Sequence, residues 1–183
     1  MLPKVWRSTP PEIKTNRLLL RCPQEQDGPE LFAAISESLA RLRPWFCWTA
    51  DIDLAESNSV LNAAYARERF LTGAELQFYI FPSDGKTLLG ICGLANPDWS
   101  IPSFEICYWL RTGYEGHGYM TEAVTSVTQF GVEKLGAKRI EARCDPANRK
   151  GIAVALRAGY THERTLPGER KIAVLVNTTL DYP

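Results

Sequence analysis

The chain has 183 residues, 45% of them hydrophobic and 23% charged, which suits one globular domain with a sizeable core. Lys+Arg and Asp+Glu balance at 21 each, so no global basic field favours nucleic acid. The longest apolar runs, such as residues 91–95, are far too short to span a bilayer. The segment MLPKVWRSTPPEIK lacks an apolar core of signal-peptide length, so a cytoplasmic protein is expected. The five cysteines (Cys22, Cys47, Cys92, Cys107, Cys144) form no Cys-x-x-Cys pair and the two histidines lie apart from them. No metal site is expected, and the thiols suit a reducing cytosol.

Residues 1–14 read as an N-terminal arm, because Pro10-Pro11 breaks any helix. Arg17 to Arg21 is a short strand pattern stopped by Pro23. Gly28 to Leu39 repeats Leu31, Ile35 and Leu39 at helical spacing. An aromatic cluster at residues 42–48 follows. A second helix is expected from Asp53 to about Leu71, with Asp53 as its cap and Glu56 completing a capping box. Residues 76–81 and 87–95 are β-rich runs across an Asp-Gly turn and predict a hairpin. A loop at 96–102 contains Trp99. In the next strand, alternation puts Phe104, Ile106, Tyr108 and Leu110 on one face and Glu105, Cys107 and Trp109 on the other. A helix from Tyr119 to about Leu135, a strand at 138–144, a helix at 148–158 and strands at 160–166 and 171–180 complete the order. Hairpins give antiparallel pairs, whereas the strand–turn–helix–strand unit from Phe104 to Cys144 demands a parallel crossover. The expected fold is therefore α/β: a mixed, mostly antiparallel central sheet with helices on both faces, in a single domain over residues 15–183.

The chemistry centres on WLRTGYEGHGYMTEA, residues 109–123, which joins a strand end, a glycine-rich turn and a helix start. Glycines let a ligand approach the main chain closely, and a helix start offers unpaired N–H groups and partial positive charge. That combination suits a diphosphate. A dinucleotide-binding unit is disfavoured, because the segment lies late in the chain, follows a hairpin and lacks the third spaced glycine.

Order and motifs together resemble the GNAT superfamily of acetyl-CoA-dependent N-acetyltransferases, closest to the subgroup of ribosomal-protein N-terminal (RimJ/RimL-like) acetyltransferases. TNRLLLR (Thr15 to Arg21) looks like that subgroup's first strand, and LRPWFCW (Leu42 to Trp48) like its Leu-x-x-Trp-x-x-Trp segment. FEICYWLRTGYEGHGYMTEA is similar to its fourth strand, acyl-CoA loop and third helix. Asn148 with ALRAGY at 155–160 is similar to its Asn…Lys-Leu-Gly-Phe segment. The resemblance implies acetyl-CoA as acetyl donor and a primary amine as acceptor, a protein or peptide N-terminus foremost. Small amines such as polyamines or antibiotics, or a non-catalytic acyl-CoA-binding module, are the alternatives. It implies no membrane or direct nucleic-acid partner, and a homodimer fits the exposed strands and aromatics.

Carried over residue by residue, Tyr108, Trp109 and Leu110 supply strand contacts to the cofactor. Glu115, Gly116, His117, Gly118 and Tyr119 supply loop N–H groups, and Thr121 a hydroxyl. Glu105 corresponds to a glutamate proposed as base in relatives; its other reading is a strand glutamate paired with a cation. Gly113 stands where the family often has Gln or Arg. Gly151 replaces the subgroup's serine acid, which leaves Tyr160 or a water to protonate the thiolate. Asn148 either contacts the cofactor or caps a helix. Arg149, Lys150 and Arg157 either reach the cofactor's 3′-phosphate or form a solvated helix face. Trp45, Phe46, Trp48 and Trp99 either wall the amine groove or pack in the core.

Overall fold

The computed structural model describes residues 10–50, 55–168 and 171–177. Its elements are β1 (Ile13–Lys14), β2 (Leu18–Arg21), α1 (Gly28–Leu42), α2 (Glu56–Thr72), β3 (Leu76–Pro82), β4 (Gly90–Asp98) and β5 (Ser103–Leu110). They continue with α3 (Tyr119–Leu135), β6 (Arg139–Cys144), α4 (Arg149–Arg157), β7 (Tyr160–Leu166) and β8 (Ile172–Asn177). The strands form one sheet in the order β1-β2-β3-β4-β5-β6-β8-β7. Every neighbouring pair is antiparallel except β5 and β6, which the α3 crossover makes parallel.

Two apolar clusters lie on opposite faces. Leu20, Phe78, Leu94 and Ile106 pack with Met120 and Val127 of α3, while Tyr79, Phe81 and Trp109 pack with Leu31 and Ile35 of α1. The alternation of β5 is the reason both faces can be filled. Phe104 and Ile106 are buried in the α3 cluster, with Tyr108 and Leu110 packed against it, and Trp109 enters the α1 cluster. Phe70, near the end of α2, crosses to the α3 side and meets Phe78 edge-on at 5.0 Å.

The N-terminal segment differs from the expected arm. Ile13 and Lys14 pair with Leu20 and Leu19, because Thr15 turns the chain back: its N–H donates to the Leu18 carbonyl and its Oγ1 accepts from the Leu18 N–H, each at 2.9 Å. Residues 1–9 lie outside the described residues, as does Asp53, the expected cap of α2. That helix starts at Glu56, with Ala55 in the cap position and no side-chain cap bond. The last strand ends at Asn177, and residues 178–183 are outside the described set. Among the described residues, no helix is long and apolar enough to cross a membrane.

Candidate active site

β5 and β6 pair only at Ser103–Arg139, Phe104–Ile140 and Glu105–Glu141. Beyond that point β5 stays with β4 as far as Leu110, and β6 stays with β8. The two parallel strands therefore part, and residues 106–110 have no strand partner on the β6 side among the described residues. An extended ligand can hydrogen-bond to such an edge as an added strand would.

The loop that leaves β5 is tied down along its length. At its start the buried Arg111 guanidinium donates twice to Glu37 of α1, at 2.6 Å each, and once to Glu30 at 3.1 Å. The Thr112 N–H donates to Ser38 Oγ at 2.9 Å. In the middle, Lys150 Nζ of α4 donates to Glu115 at 2.6 Å, and Arg41 of α1 lies 3.5 Å from the same oxygen. At the far end, Arg17 Nη1 donates to the His117 carbonyl at 2.8 Å.

What is left over is the backbone. Apart from a weak turn at residues 115–116, the N–H groups of residues 115–121 have no acceptor among the described residues, and Gly118 caps α3 without any side chain. Gly116 (φ 84°) and Gly118 (φ 79°) hold the left-handed conformation that glycine adopts without strain. No heavy atom lies within 4 Å of where a Cβ would stand on Gly116. Free N–H groups, open space and the positive end of a 17-residue helix make an anion cradle. These groups fit the diphosphate of an acyl-CoA.

Glu105 lies on the opposite face from the α3 cluster, at the last β5–β6 pair, with its side chain 19% exposed. It is part of a chain of charges. Arg143 Nε is 3.8 Å from Glu105 Oε2 and donates to Glu141 at 2.6 Å; Arg139 bridges Glu141 and Glu163. Asn96 Nδ2 also donates to Glu105, at 3.1 Å. Asn96 has φ 48° at an irregularity in β4, and this local bend aims its amide at the carboxylate. Asn96 was not legible as a site residue, since it reads as an ordinary loop asparagine.

Tyr160 is corrected as proton donor. Its hydroxyl is buried in the core and shares a 2.7 Å hydrogen bond with Thr128, and burial raises its pKa. The hydroxyl at the parting strands belongs instead to Tyr108, which donates to the Gly151 carbonyl at 2.9 Å and thereby spans from β5 to α4. Burial raises the pKa of this phenol too, so it is a neutral donor. At Gly151 a Cβ would stand 2.8 Å from Asn148 Nδ2, so a side chain there would shift the Asn148 amide. Asn148 is the cap of α4, its Oδ1 accepting from the Gly151 N–H at 3.0 Å.

Thr121 Oγ1 accepts from Arg157 Nε at 3.3 Å, which places α4 beside the start of α3. His117 is exposed and its ring lies 5.8 Å from that of Tyr119. Of the two readings of Trp99, groove wall or core residue, its contacts are those of the core. Its Nε1 donates to the Gly73 carbonyl at 3.3 Å, and its ring meets Phe104 edge-on at 5.3 Å against the α3-side core. Trp45 and Trp48 stay open, 37% and 41% exposed, on the connection between α1 and α2.

A match to the acetyltransferase (GNAT) domain family covers residues 17–161. The chain belongs to that family. Its members' reaction is the acetyl-CoA-dependent acetylation of an amine, and the matched residues include the strand, loop and helix start described above. The chain is 24% identical over 163 residues to the ribosomal protein uS5-alanine N-acetyltransferase of Escherichia coli (strain K12), covering 86% of this chain and 83% of that one. Among solved structures it is similar to RimL, the ribosomal L7/L12 alpha-N-protein acetyltransferase in complex with coenzyme A. The TM-score is 0.84 at 17% identity, over 91% of this chain and 97% of that one. The microcin C7 self-immunity acetyltransferase MccE, in complex with acetyl-CoA and AMP, gives a TM-score of 0.80 at 22% identity over 88% and 92%.

The charge chain beside Glu105 has a measurable signature. Burial pushes the Glu141 carboxyl up, but bonds from Arg143 and Arg139 outweigh it and hold it below its ordinary value of 4.5. A carboxyl depressed in the folded state contributes fully above the unfolded value, and that contribution is lost as pH falls through the folded one. The melting temperature should thus fall once pH drops below about 4.5. Glu141→Gln should be less stable at pH 7 but show a shallower acid fall. An acid limb as steep as wild type would remove Glu141 from the acid response.

Proposed function

We propose that the protein transfers the acetyl group of acetyl-CoA to the α-amino group of a protein or peptide. The observation that carries this reading is the continuity of an unpaired strand edge, a cradle of free N–H groups and a helix end on one stretch of chain, residues 106–121, in a member of this family. The kinship to ribosomal-protein acetyltransferases supports a protein amine as acceptor. The unpaired thiols, of which Cys47 and Cys107 are exposed, support a reducing cytoplasm as its setting. The edge strand β7, exposed along residues 161–165, supports a homodimer.

Acetyl-CoA supplies a thioester already activated toward an amine. Residues 108–110 and the N–H groups of residues 115–119, with Thr121, hold the donor by its pantetheine arm and diphosphate. Glu105 takes one proton from the incoming ammonium, directly or through one water, so that the neutral amine attacks the thioester carbon. The N–C bond forms, the C–S bond breaks, and the nitrogen's surplus proton leaves to solvent. Tyr108 gives up its bond to the Gly151 carbonyl and donates to the departing sulfur. Lys150 and Arg157 border the cradle on the α4 side, and Trp45 and Trp48 line the approach of the acceptor.

The test is free-thiol release with a panel of N-terminal peptides, polyamines and aminoglycosides, with products read by mass. Acetylation of a peptide amine is expected, and Glu105→Gln should lower kcat by about 100-fold or more with CoA affinity unchanged. Transfer only to small amines would move the acceptor to that class, and release with none would favour a binding module. Tyr108→Phe should slow turnover, most with acetyl-CoA and least with an acetyl thioester of an acidic aromatic thiol, which needs no help to leave. Tyr160→Phe should leave kcat near wild type. Reversal of that pair would return the donor role to Tyr160.

A further inference from the structure

The far end of the glycine loop is held by a residue 100 positions earlier in the chain. Besides its bond to the His117 carbonyl, Arg17 donates from Nε to Glu122 Oε2 at 2.7 Å, with Nη2 at 2.5 Å from the same oxygen. Its guanidinium lies 4.8 Å from the centre of the Tyr119 ring. Thr15 Oγ1 donates to the other oxygen, Glu122 Oε1, at 2.5 Å. The turn between β1 and β2 therefore engages both oxygens of a carboxylate in the first turn of α3. Burial pushes that carboxyl up, but these bonds outweigh it and keep Glu122 ionised.

Peptide geometry and charge give this arrangement a role beyond packing. In a trans peptide the carbonyl and the following N–H point opposite ways, so fixing the His117 carbonyl on Arg17 turns the Gly118 N–H away from it. Glu122 stands at the positive end of the helix, where an unpaired carboxylate would compete with any bound anion. Arg17 neutralises that competitor. Its side chain is 47% exposed, and an ion pair so exposed contributes little to global stability. One of its contacts is to the loop and two are to the first turn of α3, so Arg17 joins the loop's end to the helix start.

We propose that Arg17 and Thr15 are positioning residues for the acyl-donor site: through His117 and Glu122 they preset the loop and clear the helix end for a diphosphate. This rests on the reading of the loop as the diphosphate cradle. The β1–β2 turn thus belongs to the donor site, although these strands lie at one edge of the sheet, away from the parting strands.

Arg17→Gln should weaken CoA binding roughly 10- to 100-fold in calorimetry. Turnover of acetyl-pantetheine, which lacks the diphosphate, should stay within about twofold of wild type. Adding Glu122→Gln to Arg17→Gln should recover part of the CoA affinity, because the uncompensated charge is then gone. CoA affinity within about twofold of wild type for Arg17→Gln would overturn the clamp, and so would an equal loss with both donors. If wild type itself used acetyl-pantetheine as well as acetyl-CoA, the cradle reading would fall and the clamp with it.

Discussion

Parallel pairing between β5 and β6 stops after three residue pairs, and the site follows from that stop. β5 is committed to β4 along nearly its whole length, so it cannot follow β6 as β6 turns to β8. A parallel neighbour also requires a crossover, and the crossover here is α3, whose first turn must begin just past the end of β5. A strand edge without a partner, a loop with few hydrogen bonds of its own and a helix end without a side-chain cap are therefore consecutive in sequence. Where their backbone polar groups are exposed, as at residues 116–118, solvent satisfies them, and a ligand can take the place of that solvent. In the proposed mechanism they are the surface that receives the acyl donor.

The loop keeps its N–H groups free because side chains from elsewhere hold it. Arg111 and Ser38 fasten its start to α1, Glu115 sits between cations of α1 and α4, and Arg17 holds its end. Most of these pairs are charge-assisted and geometrically specific, which orders a loop without consuming its main-chain donors. Ordering the loop in advance lowers the entropic cost of binding a flexible donor. On the opposite face the logic is different: Glu105 terminates a relay of alternating charges through Arg143, Glu141 and Arg139 to Glu163. Its position is thereby fixed, at the point where the two strands part.

The elements with strong periodicity were legible in the sequence. The alternation along β5 and the apolar stripe of α3 correspond to the two faces they occupy, and the glycine turn reads directly as a strand-to-helix junction. Long-range polar contacts carry no such signal. Nothing near Thr15 or Arg17 points to Glu122, and Arg111 does not announce Glu30 and Glu37. Tyr160 and Tyr108 are equally plausible hydroxyls by composition, and only packing separates them: one faces Thr128 inside the core, the other bridges the parting strands. Trp99 could wall a groove or pack in the core by sequence alone, and its bond to the Gly73 carbonyl and its contact with Phe104 place it against the core.

Amide shifts during a CoA titration, followed by NMR, test the central claim most directly. The largest changes should fall on residues 115–121 and 106–110, and pantetheine alone should reproduce only those of the strand. Unmoved amides at residues 115–121 under saturating CoA would contradict the account.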